Sequence, residues 1–449
     1  MIKNSSEVRI ARQTFAQHFM SRYQQYGDEV AMRFKKFGRW QEYSWNDCYD
    51  RIKYFCLGLL SLGLEPGDKV SILGDNEPYL YWAEVAAMAG GAQVVPLYVD
   101  AIPSEIGYII AHSESKFVIV NDQEQVDKIL AIRDDIPLVK HIIYWDPKGL
   151  TTYDEPGLLD FTEVLTLGRE YEPNQAPEFF ERTIDEGKVE DIALILYTSG
   201  TTGLPKGTLS TQLSWIQNLE QWQRYAPFHR TDQYLSFISP AWATEQLLGI
   251  AGWVTSGMEI NFPESADTVQ ENIREISPNI ILYPSRLWES MVSMIQAKMQ
   301  DAGFLKRLTY SLTLPIGYKV ADLGFQKEKV SLFWKALYAV AYLISFRPLI
   351  DHFGLLKSRL CLTGGSALGP DTITFFHAIG LKMRQVYGST EAVVLTIHRE
   401  GDVKFESVGK PVRDEVKITE EGEIIAGGEG IFCGYYKDPE KTRQALTSD

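Results

Sequence analysis

The stretch YTSGTTGLPKGT, Tyr197 to Thr208, directly follows the apolar run IALIL. Thr198, Ser199, Thr201 and Thr202 supply hydroxyl donors, and Lys206 supplies a positive charge. Gly200, Gly203 and Gly207 let a backbone turn sharply and bring its N–H groups against phosphate oxygens. The chemistry these residue types suit is therefore the holding of a polyphosphate. The P-loop pattern G-x-x-x-x-G-K-[ST] is not met. Pro205 precedes the lysine and Gly207 follows it, so no hydroxyl stands where that motif holds magnesium. The plain alternative is a Gly/Thr-rich surface loop joining a strand to the next element.

A phosphate loop needs a strand behind it and helices around it. KVSILGDN reads as a buried strand ending in a polar turn, and EPYLYWAEVAAMAGG as a helix closed by glycine. AQVVPLY, KFVIVN and HIIYW are further strands, and PSEIGYIIAHS opens a helix on a proline tolerated in a first turn. A second series runs through YLSFIS, GMEINF, NIILYP, SRLCLTG and LKMRQVYGST, with helical stretches such as TVQENIREIS between them. Strands alternating with helices predict doubly wound α/β units with mainly parallel sheets. Two such units are expected, over residues 1–190 and 191–395. The tail, residues 396–449, is strand-like with Gly-rich turns and predicts a small β-barrel subdomain. The hairpin-like stretch Val30 to Trp45 is expected to join that β region.

The chain has 449 residues, enough for more than one core. Its 44 Lys plus Arg against 59 Asp plus Glu leave a net charge of −15. That argues against sequence-independent nucleic-acid binding, which needs a basic face. The cysteines Cys48, Cys56, Cys361 and Cys433 form no C-x-x-C pair, and a reducing compartment suits them. The first residues hold no apolar run of signal-peptide type, so the protein is expected to be cytoplasmic. SLFWKALYAVAYLISF, residues 331–346, is strongly apolar but interrupted by Lys335 and shorter than the ~20 residues a membrane-spanning helix needs. It reads as a buried helix. The alternative is an interfacial helix resting on a membrane, with Lys327, Lys329 and Arg347 at its ends.

YTSGTTGLPKG resembles the signature of the adenylate-forming superfamily of acyl-CoA synthetases, luciferases and peptide-synthetase adenylation domains. LTGGSALGP, QVYGSTE and GEIIAGGEGIFCGYYKDPEKT resemble its later motifs, in the right order along the chain. The resemblance implies ATP-dependent activation of a carboxylate as an acyl-adenylate. It assigns Thr198, Ser199, Gly200, Thr201, Thr202, Gly203 and Lys206 to the β- and γ-phosphates. Gly364, Gly365, Ser366, Gln385, Val386, Tyr387, Gly388, Ser389 and Thr390 are assigned to the adenine and AMP. Lys206, Thr390 and Glu391 are the catalytic set, Thr390 on the α-phosphate, and Glu391 with Thr198 holds Mg²⁺. ATP and CoA are the implied co-substrates.

FFHAIGLKMRQVYGSTE and the apolar insertion at residues 331–350 resemble the long-chain acyl-CoA synthetases, in which such an insertion is associated with membrane contact. The implied reaction converts a long-chain fatty acid to acyl-AMP and then acyl-CoA. Trp242, Gly365 and Tyr387 are expected at the acyl pocket. Trp242 stands where many relatives carry His, as a gate, as a bulk that narrows the acyl site, or as a packed core residue. By the same resemblance a hinge and a small lysine-bearing lid domain would follow residue 449. The chain is thus expected to be an N-terminal lobe, poorly active by itself, and a homodimer is admitted. The alternatives are a medium-chain or aryl CoA ligase, a fatty acyl-AMP ligase, an amino-acid adenylation domain, or a non-catalytic acyl- and nucleotide-binding module.

Overall fold

The computed structural model describes residues 10–198 and 203–447. The chain opens with a helix, Phe15–Tyr26, started by a reciprocal Thr14/Gln17 capping box. The hairpin β1 (Val30–Lys36) and β2 (Arg39–Ser44) follows. Then come β3 (Lys69–Leu73), β4 (Gln93–Leu97), β5 (Ser115–Val120), β6 (His141–Tyr144) and β7 (Leu158–Asp160). The phosphate-loop hairpin is β8 (Ile192–Thr198) and β9 (Lys206–Thr211). The second series is β10 (Gln233–Leu235), β11 (Glu259–Phe262), β12 (Ile280–Pro284), β13 (Leu360–Gly364) and β14 (Met383–Tyr387). Five short strands close the chain: β15 (Thr396–Ile397), β16 (Lys410–Pro411), β17 (Lys417–Ile418), β18 (Ile424–Ile425) and β19 (Gly434–Tyr435).

The α/β expectation holds. One sheet runs β19-β9-β8-β4-β3-β5-β6-β7, with β3 to β7 parallel to one another and to β8. The other runs β16-β15-β14-β13-β12-β10-β11-β1-β2, parallel from β14 to β1. Helices cover the parallel strands, so these read as near-continuous apolar runs such as Phe117–Val120, each residue fully buried. The largest core is aromatic at its centre. Trp45 stacks on Trp253 with ring centroids 5.1 Å apart, and Phe19 lies against both.

The details of the subdomains differ from the expectation. No closed barrel forms among the described residues. The tail strands are two residues long, too short to close on themselves, and most extend existing edges. β15 and β16 add to β14, while β19 pairs with β9; only β17 and β18 pair with each other. The early hairpin does not join the tail, because β1 pairs in parallel with β11 at the other edge of the same sheet. The break at residue 190 is not a sheet boundary either. β8 pairs with β4 through Val94 and Leu194, so the phosphate-loop hairpin belongs to the first sheet.

The apolar run 331–346 is helical but not buried. Its aromatic side packs inward through Tyr338, Ala341, Tyr342 and Phe346, against a long helix, Phe304–Phe325. Leu332, Phe333, Val340, Leu343 and Ile344 face outward. Among the described residues no second layer covers these outward side chains. No described helix is long and apolar enough to cross a membrane.

Candidate active site

The parallel strands of both sheets end at one place, where ligands of such sheets bind. β8 delivers Thr198, β13 delivers Gly364 and β14 delivers Tyr387. The loop between β8 and β9 is clamped at its base, because Thr198 lies directly opposite Lys206 in the antiparallel ladder and Tyr197 opposite Gly207. A Cβ on Gly207 would sit 2.9 Å from Ile195 Cγ2 and 3.1 Å from the Tyr197 ring, so only glycine lets the hairpin start beside the lysine. Ser199, Gly200, Thr201 and Thr202 lie outside the described residues. Gly203 is exposed at the far end of the loop.

Beyond the strand ends lies a cavity of about 350 Å³. Thr198, Trp242, Gly364, Gly365, Val386, Gly388, Ser389 and Thr390 all line it. Four separated segments of sequence therefore meet on one space. The turn after β14 depends on Gly388, where a Cβ would fall 1.8 Å from the Val393 carbonyl oxygen. Val393 itself has φ +53°, a left-handed conformation that the turn imposes. This tight reversal carries Ser389 and Thr390 to the cavity wall.

Lys206 and Glu391 meet beside the cavity through a residue the sequence reading did not single out. The Tyr435 hydroxyl donates to Glu391 Oε1 at 2.7 Å. The Lys206 ammonium lies 5.1 Å from the centroid of the same ring, a cation–π arrangement. Burial, then the hydrogen bond to Glu391, push the Tyr435 hydroxyl far above its ordinary pKa, so it remains a donor. Tyr435 is positioned by β19, which pairs with β9 through Tyr435 and Thr208. It lay inside the segment GEIIAGGEGIFCGYYKDPEKT, but only the pairing of β19 with β9 shows that this tyrosine, and not Tyr436, reaches the glutamate.

Some expected residues stand elsewhere. Gln385 is buried, with its side-chain Oε1 unpartnered, and it does not line the cavity; its backbone N–H donates to His398 Nδ1. Ser366 and Tyr387 are exposed outside the cavity lining, and the Ser366 carbonyl accepts from Ser285 Oγ at 2.7 Å. The expected metal ligands offer only oxygen, a hydroxyl and a carboxylate. That donor set fits Mg²⁺, which takes one or two protein carboxylates and completes its shell with water and phosphate. Among the described residues no group of three or more metal-ligating His, Cys, Asp or Glu side chains exists.

Trp242 is not a core tryptophan. It is 38% exposed, and a Cβ on Gly365 would lie 3.9 Å from its ring. Tyr98 lines the same cavity, and burial pushes its hydroxyl up to about 12. Directly after Trp242 comes a short helical turn, Ala243–Glu245, and then a π-helix, Gln246–Ala251. Such insertions are frequent at functional sites. Glu245 is fully buried and accepts from Tyr81 at 2.7 Å, Tyr234 at 2.7 Å and Ser236 at 2.5 Å. Burial raises its carboxyl to about 7. Glu84, also fully buried, is raised to about 8 by burial and receives only one long bond, 3.3 Å from Gln246 Nε2. Neither acid lines the cavity, and their burial behind it was not legible in the sequence. Glu84 lies in the apolar helix Pro78–Ala89 and Glu245 in a segment read only for its tryptophan.

The AMP-binding enzyme family matches residues 19–436. Over 465 aligned residues the chain is 25% identical to the long-chain-fatty-acid–CoA ligase ACSBG2 of Xenopus laevis, covering all of this chain and 61% of that protein. It thus spans about three fifths of the length of that relative. Among solved structures, the adenylation domain of a carboxylate reductase from Mycobacterium chelonae superposes with TM-score 0.75 at 20% identity, over 99% of this chain and 69% of that one. The anthranilate CoA ligase AuaEII, solved with anthranoyl-AMP, gives 0.69 at 19%, over 98% and 74%. With the family match covering nearly the whole chain and both sheets delivering the motif residues to one cavity, the chain belongs to the AMP-binding enzyme family.

Proposed function

We propose that this chain is the acid- and nucleotide-binding part of an ATP-dependent acid–CoA ligase, and that its acid is a long-chain fatty acid. The observation that carries the reading is the single cavity on which Thr198, Gly365, Thr390 and Trp242 converge, beside the Lys206–Tyr435–Glu391 chain. In the first step a carboxylate oxygen attacks the α-phosphorus of ATP, the bond to the bridging oxygen breaks, and pyrophosphate leaves. Two anions must approach, so the residues that matter are those that offset charge. Lys206 and the loop hydroxyls neutralise the β- and γ-phosphates, and Thr390 donates to the α-phosphate. Thr198 and Glu391 would hold Mg²⁺, with Tyr435 orienting the carboxylate; the ion supplies further charge neutralisation on the leaving group. In the second step a thiolate attacks the acyl carbonyl and AMP leaves.

The long-chain assignment is supported by the name of the Xenopus relative, while Trp242 at the cavity wall is the residue that would gate or narrow the acyl site. Each CH₂ buried beyond it would contribute about 0.8 kcal/mol. Calorimetric titration of this chain with palmitoyl-, octanoyl- and benzoyl-adenylate tests the reading. Tightest binding of the palmitoyl compound is expected, and Trp242→Ala should alter the ranking more than it alters Mg-ATP affinity. Preference for the benzoyl compound would move the protein to an aryl-acid ligase. Failure of all three to bind would sink adenylate chemistry for this cavity.

In this reading the protein is cytoplasmic and meets the membrane from that side. The support is the outward aliphatic face of residues 332–344, with Leu332 at 85% and Phe333 at 68% exposure, flanked by Lys329, Lys335 and Arg347. Sedimentation with anionic lipid vesicles should lose the protein when Leu332 and Phe333 are both replaced by Glu. Unchanged co-sedimentation would remove these helices from the contact.

A further inference from the structure

β13 and β14 do not only deliver residues to the nucleotide end. Their opposite ends open into a second cavity of about 980 Å³, between the sheet and the helices Phe304–Phe325 and Leu332–Ala341. Its walls are apolar and aromatic, including Phe325, Tyr338, Tyr342 and Val403. Its floor is charged, with Arg359, Lys382 and Arg384 set against one carboxylate, Glu400.

These cations are not equivalent. Arg359 is paired with Asp232, donating to both carboxylate oxygens, and Lys382 with Glu400 at 3.1 Å. Arg384 has no carboxylate partner among the described residues. Its side chain is more than nine-tenths buried, and its one hydrogen bond runs from Nη1 to the Tyr225 carbonyl oxygen at 2.8 Å. A guanidinium has five N–H donors in a planar fork and stays charged. Arg384 lines the cavity, and neither its Nε nor its Nη2 makes a hydrogen bond among the described residues. A second guanidinium, Arg399, lies 3.1 Å from the Tyr225 ring centroid, so arginines outnumber the one lining carboxylate here. Burial holds the Arg384 pKa below its ordinary value, against the opposing pull of Glu400 and with smaller contributions from Arg359 and Arg399. A buried charge without a partner is costly unless something compensates it. Arg413 shows the contrast. It is equally buried, but its Nη2 is spent on the carbonyls of Ala392 and Val394.

We propose that this cavity is a second ligand site, distinct from the nucleotide cavity, in which Arg384 binds the phosphate or carboxylate of an amphipathic anion whose apolar body lies between Phe325, Tyr338 and Tyr342. The fork of Arg384 suits a planar or tetrahedral oxyanion through paired N–H donors. The volume is at the upper end of what drug-sized ligands fill. The site needs nothing from the adenylate reading, since it stands at the other end of the strands.

The test is calorimetric titration of this chain with dodecyl phosphate, inorganic phosphate and the neutral detergent decyl maltoside. Dodecyl phosphate should bind one equivalent at least tenfold more tightly than inorganic phosphate, and decyl maltoside should not compete with it. Arg384→Gln should weaken dodecyl phosphate at least tenfold, and Ala339→Trp, which fills the mouth from an exposed position, should do the same without touching the sheet. Trp242→Ala, in the other cavity, should leave this binding unchanged. Binding indifferent to both Arg384→Gln and Ala339→Trp, or lost in Trp242→Ala, would overturn the site. Equal affinity for inorganic phosphate would overturn the apolar part and mark a free phosphate as the ligand. If Arg384→Gln does not fold, Ala339→Trp decides.

Discussion

Helix Pro78–Ala89 and helix Leu332–Ala341 are both apolar, yet they end in opposite surroundings. In the first every residue except Tyr79 is buried, including Glu84. In the second only Ala341 is. The first lies between a sheet and other helices and can use its whole circumference. The second leans on one other helix and keeps an aliphatic face outside. Apolar composition sets how much surface a helix could bury, and the number of layers around it sets how much it does. Energy should follow the layers, and the two regions should respond to mutation accordingly.

The largest effect is expected in the core beside the first helix. Trp253→Ala removes the partner stacked on Trp45 and should cost about 3–5 kcal/mol, read from urea unfolding. A loss under 1 kcal/mol would mean that this core is not packed as described. Next comes the turn at the nucleotide end. Gly388→Ala drives a methyl into the Val393 carbonyl, so the turn must shift, at a cost of about 1–3 kcal/mol. Mg-ATP affinity should fall more than tenfold in calorimetry, and normal affinity would free Thr390 from its assigned place.

Glu84 sharpens the comparison through pH. Its folded pKa, about 8, lies above the unfolded value of about 4.3. The folded state therefore binds the extra proton, and stability is full below about pH 4 and is lost as pH rises through 8. Glu84→Gln should gain on the wild type by on the order of a few kcal/mol between pH 5 and pH 9, measured by urea midpoints. Parallel curves would show that the Glu84 pKa is the same in the folded and unfolded states. Tyr435→Phe should change stability by about 0.5–1.5 kcal/mol, the net worth of one hydrogen bond. Its clearer signature is a shift in the Mg²⁺ dependence of ATP binding; an unshifted dependence would detach Tyr435 from Glu391. The smallest effect belongs to the uncovered helix, where Leu332→Ala should stay within about 0.5 kcal/mol. A larger loss would reveal a partner surface for that face.

Much of the site was legible because its signals are local. The loop Tyr197–Thr208, the turn at Gly388 and the Thr390–Glu391 pair are contiguous residues whose types state their chemistry. Tyr435 and Arg384 were not legible as site residues, because their roles come from partners far away in sequence. Arg384 in particular stands one residue before Gln385, which the motif offered for the adenine. The alternation of β14 and the burial of Gln385 decide which side chain sees which cavity.

The sequence by itself determined the α/β alternation, the strand behind the phosphate loop, and the set of motifs, because strand periodicity and turn chemistry are short-range. Only the tertiary structure decided that the tail would extend sheet edges instead of closing a barrel, since two-residue strands are stabilised by strands already in place. It alone decided that the 331–346 helix would keep a face in solvent, since burial requires a second layer that no local pattern encodes. It also placed a cationic cavity at one end of the strands and the nucleotide residues at the other, a pairing set by which strands lie side by side.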